Sequence, residues 1–201
     1  MTSLTLQPGV TLHKGFLRRD SQAALVGDVR QIVAKAPLFS PLTPWGKPMR
    51  VRMTSAGKFG WYTDRKGYRY IERHPDGTAW PPIPRSILDI WSDLSDADRR
   101  PECCLINYYD ASAKMGVHQD KDEADFAYPV LSISLGDTAR FRIGGTARSD
   151  PSSALDLESG DVLLMSGAGR LAFHGIDRIK AGSSDLLKQG GRLNLTLRVV
   201  T

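Results

Sequence analysis

A chain of 201 residues with 41% hydrophobic and 24% charged side chains has the composition of one globular domain. Its apolar runs fall short of the roughly 20 residues that a membrane helix needs, and its N-terminus lacks the apolar core of a signal peptide. Cys103 and Cys104 are adjacent, which argues against a disulfide framework, favours a reducing compartment and predicts that both are core residues. We therefore expect a single cytoplasmic domain over residues 1–201, with no membrane partner.

The first 100 residues predict two helices and several short strands. Asp20 is a candidate cap for a helix that continues to about Ala36 and is ended by Pro37. Its apolar stripe comprises Leu25, Val29, Ile32 and Val33. A second helix follows the run WPPIP, with a stripe made of Ile87, Ile90, Trp91 and Leu94. Short strands are expected around Val51, Trp61 and Tyr68.

Positive charge is concentrated in this half of the chain. Residues 1–100 contain 16 Lys and Arg against 9 Asp and Glu, whereas residues 101–201 contain 11 against 13. Between residues 47 and 73, eight basic side chains alternate with the aromatic residues Phe59, Trp61, Tyr62, Tyr68 and Tyr70. This pattern is typical of a surface for single-stranded nucleic acid, because cations contact phosphates and rings stack on bases. The alternative is a solvated hairpin whose aromatic rings pack on the core.

From Cys103 onward, short apolar runs alternate with turn signals. The runs are CLINYY, GVH, VLSISL, ARFRI, ALDLE, DVLLM, LAFHG and LNLTLRVV. Gly-Gly at 144–145, Asp-Pro at 150–151 and Gly-Asp at 160–161 separate several of them. Many short strands predict a sandwich or barrel, and a double-sheet jelly roll is the form that could hold a metal inside. The expected fold is α+β, mainly β, with an N-terminal extension at 1–100 and a jelly-roll core at 101–201.

The tripeptide His118-Gln119-Asp120 is a candidate metal motif. In an extended segment, His118 and Asp120 project from the same face. His174, in the apolar run LAFHG, is the candidate third ligand. Two histidines and one carboxylate with open positions form the facial triad that binds non-haem Fe(II) in oxygenases. The alternative is a chance His-x-Asp together with an ordinary, partly buried histidine.

The run RLNLTLR, from Arg192 to Arg198, predicts a strand with two distinct faces. Leucines occupy alternate positions, and Arg192, Asn194, Thr196 and Arg198 occupy the opposite face. If the polar face lies inside a barrel, the two arginines require an anion, and their planar forks suit a short dicarboxylate. The alternative is a half-exposed strand with its polar face toward water.

Several longer segments carry a family resemblance. They are NYYDASAKMGVHQDKDE, SISLG, FRIGG, SGDVLLMSG, LAFHGI and RLNLTLR. In order and spacing they resemble the AlkB family of Fe(II)/2-oxoglutarate dioxygenases, most closely its bacterial DNA-repair members, from about Trp45 to the C-terminus. The resemblance implies a double-stranded β-helix with N-terminal helices and a β-hairpin nucleotide-recognition lid at about 45–75. It also implies Fe(II) bound by His118, Asp120 and His174, with 2-oxoglutarate and O₂ as co-substrates.

The same resemblance assigns the remaining site residues. Arg192 would hold the distal carboxylate of 2-oxoglutarate, while Arg198 and Asn107 would hold the keto-acid end and steady Asp120. The implied co-substrate set is Leu105, Asn107, Tyr108, Tyr109, Met115, Arg192, Asn194 and Arg198. Trp61 and His118 would cover the two faces of a flipped base, and Asp122 would accept a hydrogen bond from its exocyclic amine. The implied substrate set is Trp61, Tyr68, Arg69, Tyr70, Lys114, Lys121, Asp122 and Arg148.

The implied activity is oxidative dealkylation of 1-methyladenine and 3-methylcytosine, with release of formaldehyde and conversion of 2-oxoglutarate to succinate and CO₂. The expected partner is single-stranded or damaged DNA, with RNA as a further substrate, and the expected state is a monomer. Four features depart from the family pattern: Tyr108, Leu193, Asp64 and one extra residue between His174 and Arg192. Two alternatives remain: the same chemistry on a protein or small molecule, and a non-catalytic nucleic-acid-binding jelly roll.

Overall fold

The computed structural model describes residues 2–201, which contain two α-helices, one 3₁₀ helix (Gly167–Gly169) and thirteen strands. The elements before residue 100 are β1 (Thr2–Gln7), β2 (Val10–Lys14), α1 (Arg19–Lys35), β3 (Arg52–Gly57), β4 (Gly60–Asp64), β5 (Gly67–Ile71) and α2 (Arg85–Leu94). The later strands are β6 (Cys103–Tyr109), β7 (Met115–His118), β8 (Val130–Gly136), β9 (Thr138–Ile143), β10 (Ser153–Leu157), β11 (Val162–Met165), β12 (His174–Lys180) and β13 (Arg192–Arg198).

Two antiparallel sheets face each other and form the predicted mainly-β architecture. The large sheet has the strand order β1-β2-β11-β8-β13-β6-β3, and the small sheet has the order β10-β9-β12-β7. Side chains from both sheets, including Val130 and Met165 from the large sheet and Phe141 and Ile143 from the small one, form one hydrophobic cluster. Packing between the two inner faces therefore forms the interior in which a site can be enclosed.

The N-terminal hairpin β1–β2 was not predicted from the sequence. Strand β2 pairs with β11, so residues from the start of the chain extend the large sheet. The signal was present, because Val10 and Leu12 alternate with polar residues and are both buried. Gly9 has a φ of +76°, and a Cβ at this position would overlap the Ser166 carbonyl, so the turn requires glycine.

Helices α1 and α2 cover the outer face of the large sheet. Their predicted apolar stripes are confirmed, since Leu25, Ile32, Ile87 and Trp91 all belong to the buried cluster on that face. The predicted cap of α1 is wrong. Helix α1 begins at Arg19 after an extended Arg18 that makes no side-chain cap bond, so Asp20 lies inside the first turn. There its carboxylate interacts favourably with the positive end of the helix dipole.

Alternation along β13 assigns its two faces to two different environments. Leu193, Leu195 and Leu197 belong to the cluster under the helices, whereas the polar residues of the strand point between the sheets. The same rule separates the two cysteines on β6. Cys104 packs on the helix side and Cys103 on the inner side, both fully buried, which confirms them as core residues.

The hairpin β4–β5 forms a separate two-stranded sheet. The strand expected around Val51 instead pairs with β6 and belongs to the large sheet as β3. The predicted lid at about 45–75 is therefore not one continuous unit. The loop before β3, Met53 on β3 itself and hairpin 60–71 each contribute residues to the cavity between the sheets. Within residues 2–201, no helix has the length and apolar character required to cross a membrane.

Candidate metal centre and active site

A cavity of about 660 Å³ opens between the two sheets. Its walls combine residues of β13 and β6 from the large sheet with residues of β7 and β12 from the small one, and hairpin β4–β5 contributes to its mouth. Most of the residues assigned from the sequence line this one cavity. They are Trp61, Tyr68, Leu105, Asn107, Tyr109, Met115, His118, Asp120, Lys121, Asp122, Arg148, His174, Arg192, Asn194 and Arg198.

The three predicted metal ligands converge at one point on the small sheet. His118 ends β7 and His174 begins the neighbouring β12, where the two residues are direct partners in the strand register. Asp120 follows two residues after His118, and its carboxylate lies 3.7 Å from His118 Nε2 and 3.8 Å from His174 Nε2. One ligand atom from each residue lies within 4.8 Å of the others, a spacing that suits a shared metal ion.

Backbone contacts fix the tautomer of both imidazoles. Nδ1 of His118 lies 2.8 Å from the Gly116 carbonyl oxygen, and Nδ1 of His174 lies 2.9 Å from that of Ala172. Because a carbonyl only accepts, each Nδ1 carries the proton, and each Nε2 lone pair is available to a metal. Burial also lowers the pKa of His174 to about 4, so its imidazole is neutral at pH 7, as a ligand must be.

Asp120 is held ionised by a buried arginine. Burial alone would raise its pKa, but the Arg198 guanidinium, 2.8 Å from Oδ2, together with the two imidazoles holds that pKa well below the usual range. An ionised carboxylate and two neutral imidazoles match the donor set that non-haem Fe(II) prefers. The side chains present therefore fit an Fe(II) ion.

A second buried carboxylate, Glu123, joins this ion pair into a network. Arg170 Nη2 donates to Glu123 at 2.9 Å, and Arg170 Nη1 donates to the backbone oxygen of Asp120 at 2.7 Å. The Tyr70 hydroxyl donates to Glu123 and accepts from Arg198 Nη1 at 3.1 Å. Since Tyr70 lies on β5, hairpin β4–β5 is linked through two residues to the carboxylate of the metal site.

Arg192 lies on the cavity wall that faces the three candidate metal ligands, and its electrostatic surroundings differ from those of Arg198. Its side chain is fully buried, and it donates to the Ser134 hydroxyl at 2.7 Å and to the Leu157 carbonyl at 3.2 Å. The salt bridges of residues 2–201 do not include its guanidinium, and Nε lacks any partner there. Burial lowers its pKa to about 10, with Tyr109 and the Asp161 carboxylate opposing that shift. A buried cation that makes no salt bridge among the described residues is costly, so this wall of the cavity is suited to an anionic ligand.

The other residues assigned to the co-substrate fall into two groups. Asn107 and Tyr109 share the inward face of β6, and Asn107 Oδ1 is buried without a partner among the described residues. Asn194 is already held by Ser132 Oγ at 2.7 Å. Tyr108 lies between Asn107 and Tyr109 in sequence and therefore points to the helix side, where its ring contacts Arg52. The structure does not bring Tyr108 to the cavity.

On the lid, Trp61 and Tyr68 are packed together at the mouth of the cavity. Their ring centroids are 5.5 Å apart with an interplanar angle of 21°, and Trp61 Nε1 donates to Asp122 Oδ2 at 2.8 Å. Asp122 is two residues beyond Asp120, so the hydrogen bond ties a stacking ring to the edge of the metal site. The indole has Tyr68 on one face, which leaves its other face for a ligand.

The basic residues assigned to the substrate have different surroundings. Lys121 and Arg148 are exposed and line the cavity, whereas Lys114 is exposed on the loop before β7 and does not line it. Arg69 makes two hydrogen bonds of 2.8 Å to Asp64 within the hairpin and also lies outside the cavity wall. Tyr70 points inward to Glu123, away from the mouth.

Sequence reasoning missed two residues of this site, Glu123 and Arg170. Both side chains are at most 2% exposed, and they form a salt bridge of 2.9 Å. Glu123 is part of the run HQDKDE, and Arg170 lies four residues before His174, so both were next to recognised motifs. Because the two positions are 47 residues apart in the chain, no local sequence pattern indicates that they pair.

A two-sheet fold gathers two imidazoles and one carboxylate, and it places on the facing sheet a buried guanidinium that makes no salt bridge within residues 2–201. These features define an iron-dependent oxygenase with an anionic co-substrate. The chain belongs to the 2OG-Fe(II) oxygenase superfamily, which matches residues 9–198. Three similar proteins refine this assignment. The chain is 53% identical over 196 residues to the alpha-ketoglutarate-dependent dioxygenase AlkB homolog of Caulobacter vibrioides, across 97% of this chain and 89% of that protein.

It is 41% identical over 179 residues to the alpha-ketoglutarate-dependent dioxygenase AlkB of Escherichia coli, across 87% of this chain and 82% of that protein. The solved structure of OsALKBH1 superposes with a TM-score of 0.84 at 33% identity, covering 98% of this chain and all of that one. The predicted jelly-roll fold, AlkB-family membership and enzyme class are confirmed. The protein is an AlkB-type dioxygenase that uses Fe(II), 2-oxoglutarate and O₂.

Proposed function

We propose that this enzyme removes N-alkyl groups from nucleobases, chiefly 1-methyladenine and 3-methylcytosine, in single-stranded DNA and also in RNA. The observation that carries the proposal is the hydrogen bond from Trp61 to Asp122 at the mouth of the metal-site cavity. This contact places a flat aromatic face beside a carboxylate, and a flipped base needs both.

The carboxylate suits the electrostatics of these two lesions. Methylation at N1 of adenine or N3 of cytosine leaves a cationic base with an exocyclic amine next to the alkylated nitrogen. Trp61 uses Oδ2 of Asp122, so Oδ1 remains to accept from that amine. A cationic ring between Trp61 and His118 would also be attracted to the indole face.

Positive charge around the mouth supports a nucleic acid over a free base. Lys121 and Arg148 are exposed on the cavity wall, and Arg65 and Lys66 are exposed on the hairpin turn. Phosphates of a single strand would neutralise such a surface. Two relatives carry names that state a nucleic-acid substrate: DNA N(6)-methyladenine demethylase ALKBH1C of Arabidopsis thaliana and nucleic acid dioxygenase ALKBH1 of Homo sapiens.

In the proposed mechanism, His118, Asp120 and His174 hold Fe(II). Arg192 holds the distal carboxylate of 2-oxoglutarate, with Tyr109 and Asn194 near it, and Arg198 and Asn107 lie at the keto-acid end. When bound, Fe(II) with O₂ and 2-oxoglutarate supplies the oxidation that inserts one oxygen atom into a C–H bond of the N-alkyl group, and 2-oxoglutarate becomes succinate and CO₂.

The chain's own residues provide position and environment for that step. Trp61 and His118 would clamp the base so that its methyl group faces the metal site, and Asp122 would set its rotation within the ring plane. Leu105 and Met115 contribute apolar walls that exclude water. The hydroxymethyl product then breaks its N–C bond: formaldehyde leaves, the proton of the hydroxyl is lost, and the electron pair returns to the ring nitrogen.

The test is reconstitution of the purified protein with Fe(II), 2-oxoglutarate and an oligonucleotide that contains one 1-methyladenine. We expect formaldehyde and unmodified adenine in equal amounts. His118→Ala should abolish both products, while His13→Asn, a histidine outside the cavity, should retain them. Lack of repair by the wild-type protein, or full repair by His118→Ala, would contradict the proposal.

The same assay separates the alternative functions. A panel of DNA and RNA oligonucleotides, free nucleosides and an unrelated peptide would be compared by succinate formation. Dependence on a nucleic-acid substrate supports the proposal, whereas stimulation by a peptide or free small molecule alone would favour the other oxygenase class. Salt-dependent DNA binding with no turnover on any substrate would indicate a binding protein.

A further inference from the structure

Trp45 is the most exposed of the exposed large hydrophobic side chains among residues 2–201, with 81% of its surface accessible. By contrast, Trp80 and Trp91 are buried, at 6% and 2% exposure. A tryptophan this exposed usually marks an interaction surface, because its ring presents a large apolar area to water and burying that area against a partner is favourable.

The loop around Trp45 presents the indole on an ordered turn. The backbone N–H of Thr43 donates to the Lys47 carbonyl, and the N–H of Gly46 donates to the Thr43 carbonyl, both at 2.8 Å. The N–H of Lys47 also donates to the Thr43 hydroxyl at 3.1 Å, and Leu42 pairs with Pro48 in an isolated bridge. Because the turn is fixed by its own hydrogen bonds, binding to the indole would require little backbone ordering.

This turn borders the site already described. Thr43, Trp45 and Met49 line the same cavity as Trp61 and Tyr68, so the indole lies at its rim. Trp45 is not among the residues proposed to hold the flipped base or 2-oxoglutarate. The ring therefore extends the surface beyond the position of the flipped base.

A cationic side chain lies directly against the turn. An added Cβ at Gly46 would come within 3.2 Å of Arg65 Nε, so the Arg65 guanidinium from the hairpin packs over the backbone next to Trp45. Arg65 and Lys47 are both exposed. An exposed ring with one cation on its own turn and another on the adjoining hairpin is complementary to a nucleotide, with the ring for its base and the charges for its phosphates.

We propose that Trp45, together with Arg65, forms a stacking platform for the nucleotide next to the flipped base, and that this platform selects a nucleic-acid strand over a mononucleotide. The proposal rests on the proposed function, because the cavity must be the site of the flipped base. Its occupant is a base of the same single strand, as the charge of Arg65 and Lys47 and the continuity with the cavity mouth indicate.

The experiment compares wild-type enzyme with Trp45→Ala and Trp45→Phe on two substrates, a pentanucleotide with a central 1-methyladenine and 1-methyladenosine 5′-monophosphate. Leu42→Ala, on the same loop, is the matched control. Loss of one stacked base corresponds to roughly a tenfold change or more. We expect Trp45→Ala to raise KM for the pentanucleotide about tenfold more than KM for the mononucleotide. Trp45→Phe should restore most of the affinity for the pentanucleotide, and Leu42→Ala should have the KM values of the wild type. An equal effect of Trp45→Ala on both substrates, or no effect on the pentanucleotide, would overturn the platform.

A binding measurement keeps this inference separate from the proposed function. Fluorescence anisotropy with an unmethylated, labelled oligothymidylate needs no catalysis. If wild-type enzyme repairs neither substrate but Trp45→Ala still weakens oligothymidylate binding about tenfold, Trp45 binds a single strand as inferred, while the proposed function fails and with it the placement of the platform next to a flipped base. If wild-type enzyme repairs both substrates and Trp45→Ala binds oligothymidylate as tightly as wild type, the platform alone fails.

Discussion

Replacing Glu123 with glutamine should strongly destabilise the protein. The Glu123 and Arg170 side chains are 0% and 2% exposed and form a 2.9 Å salt bridge, and Arg198 Nε lies 3.5 Å from the same carboxylate. In Glu123→Gln, Asp120 would be the one remaining anion in the network beside two buried guanidinium groups. Removing one partner of a buried ion pair costs about 3–5 kcal/mol. For a domain of this size the melting temperature changes by about 2–4 °C per kcal/mol, so we expect it to fall by roughly 6–20 °C.

The measurement is urea and thermal unfolding of the metal-free protein, followed by tryptophan fluorescence. The matched control is Glu158→Gln, because the pair of Glu158 with Lys14 has the same chemistry at 3.2 Å but 59% exposure of the carboxylate. Exposed pairs contribute about 0–1 kcal/mol. If Glu123→Gln is no less stable than Glu158→Gln, the network does not stabilise the fold as argued.

The same variant should also weaken metal binding. Arg170 fixes the backbone of Asp120, and Arg198 fixes its carboxylate, and Glu123 positions both guanidinium groups. Loss of such outer contacts typically lowers metal affinity about 10- to 100-fold. Titration of Co(II) into Glu123→Gln at a temperature where it remains folded would measure the change. Wild-type affinity in a folded Glu123→Gln protein would show that the network acts on stability alone.

Three further predictions concern separate parts of the molecule. Arg192→Lys should weaken 2-oxoglutarate binding to the Mn(II)-loaded protein by roughly 10- to 100-fold, since hydrogen bonds to charged groups contribute about 1.5–3 kcal/mol. Calorimetry should show unchanged Mn(II) affinity. Equal loss of affinity for Mn(II) and for 2-oxoglutarate would contradict the assignment of Arg192. Arg69 holds the pKa of Asp64 at about 2 through its side-chain hydrogen bonds. The ion pair therefore stabilises the hairpin at pH values above the ordinary aspartate pKa, and this stabilisation is lost as the pH falls through about 2. An NMR titration of Arg69→Leu should show the Asp64 pKa returning upward, with DNA affinity retained. A Cβ at Gly60 would overlap the ring of the buried Trp80, whereas nothing lies within 4 Å of a Cβ at Gly27 in α1. Thermal unfolding should therefore show that Gly60→Ala is destabilised and that Gly27→Ala is stabilised by about 0.5–1 kcal/mol.

Features with a short sequence period were predictable from the sequence. Alternation from Arg192 to Arg198 correctly indicated which residues of β13 point between the sheets, because a strand repeats every two residues. The spacing of His118 and Asp120 indicated two ligands from one extended segment, and the structure brings them to His174. The same rule could have excluded Tyr108, since Asn107 and Tyr109 on either side point inward.

Partners distant in the chain could not be predicted. The carboxylate that neutralises Arg198 lies 78 residues earlier, at Asp120, and no local pattern relates the two positions. Arg69 was assigned to the substrate set, but its side chain binds Asp64, which the sequence had marked only as a departure from the family pattern. Division of the chain into a 1–100 extension and a 101–201 core remains a prediction, although β1, β2 and β3 belong to the same sheet as β6, β8, β11 and β13.

The two arginines of β13 differ in a way that bears on how the enzyme responds to its co-substrate. They share one face of a strand and lie about 20 Å apart along it. Arg198 is paired with Asp120 and lies near Glu123, so its charge is satisfied before any ligand binds. Arg192 has no such partner among the described residues, so we expect the cost of its burial to be compensated when 2-oxoglutarate enters. A ligand that binds only the folded state stabilises it by RT ln(1 + [L]/Kd), so 2-oxoglutarate should raise the melting temperature of wild-type protein and leave that of Arg192→Lys nearly unchanged at the same concentration.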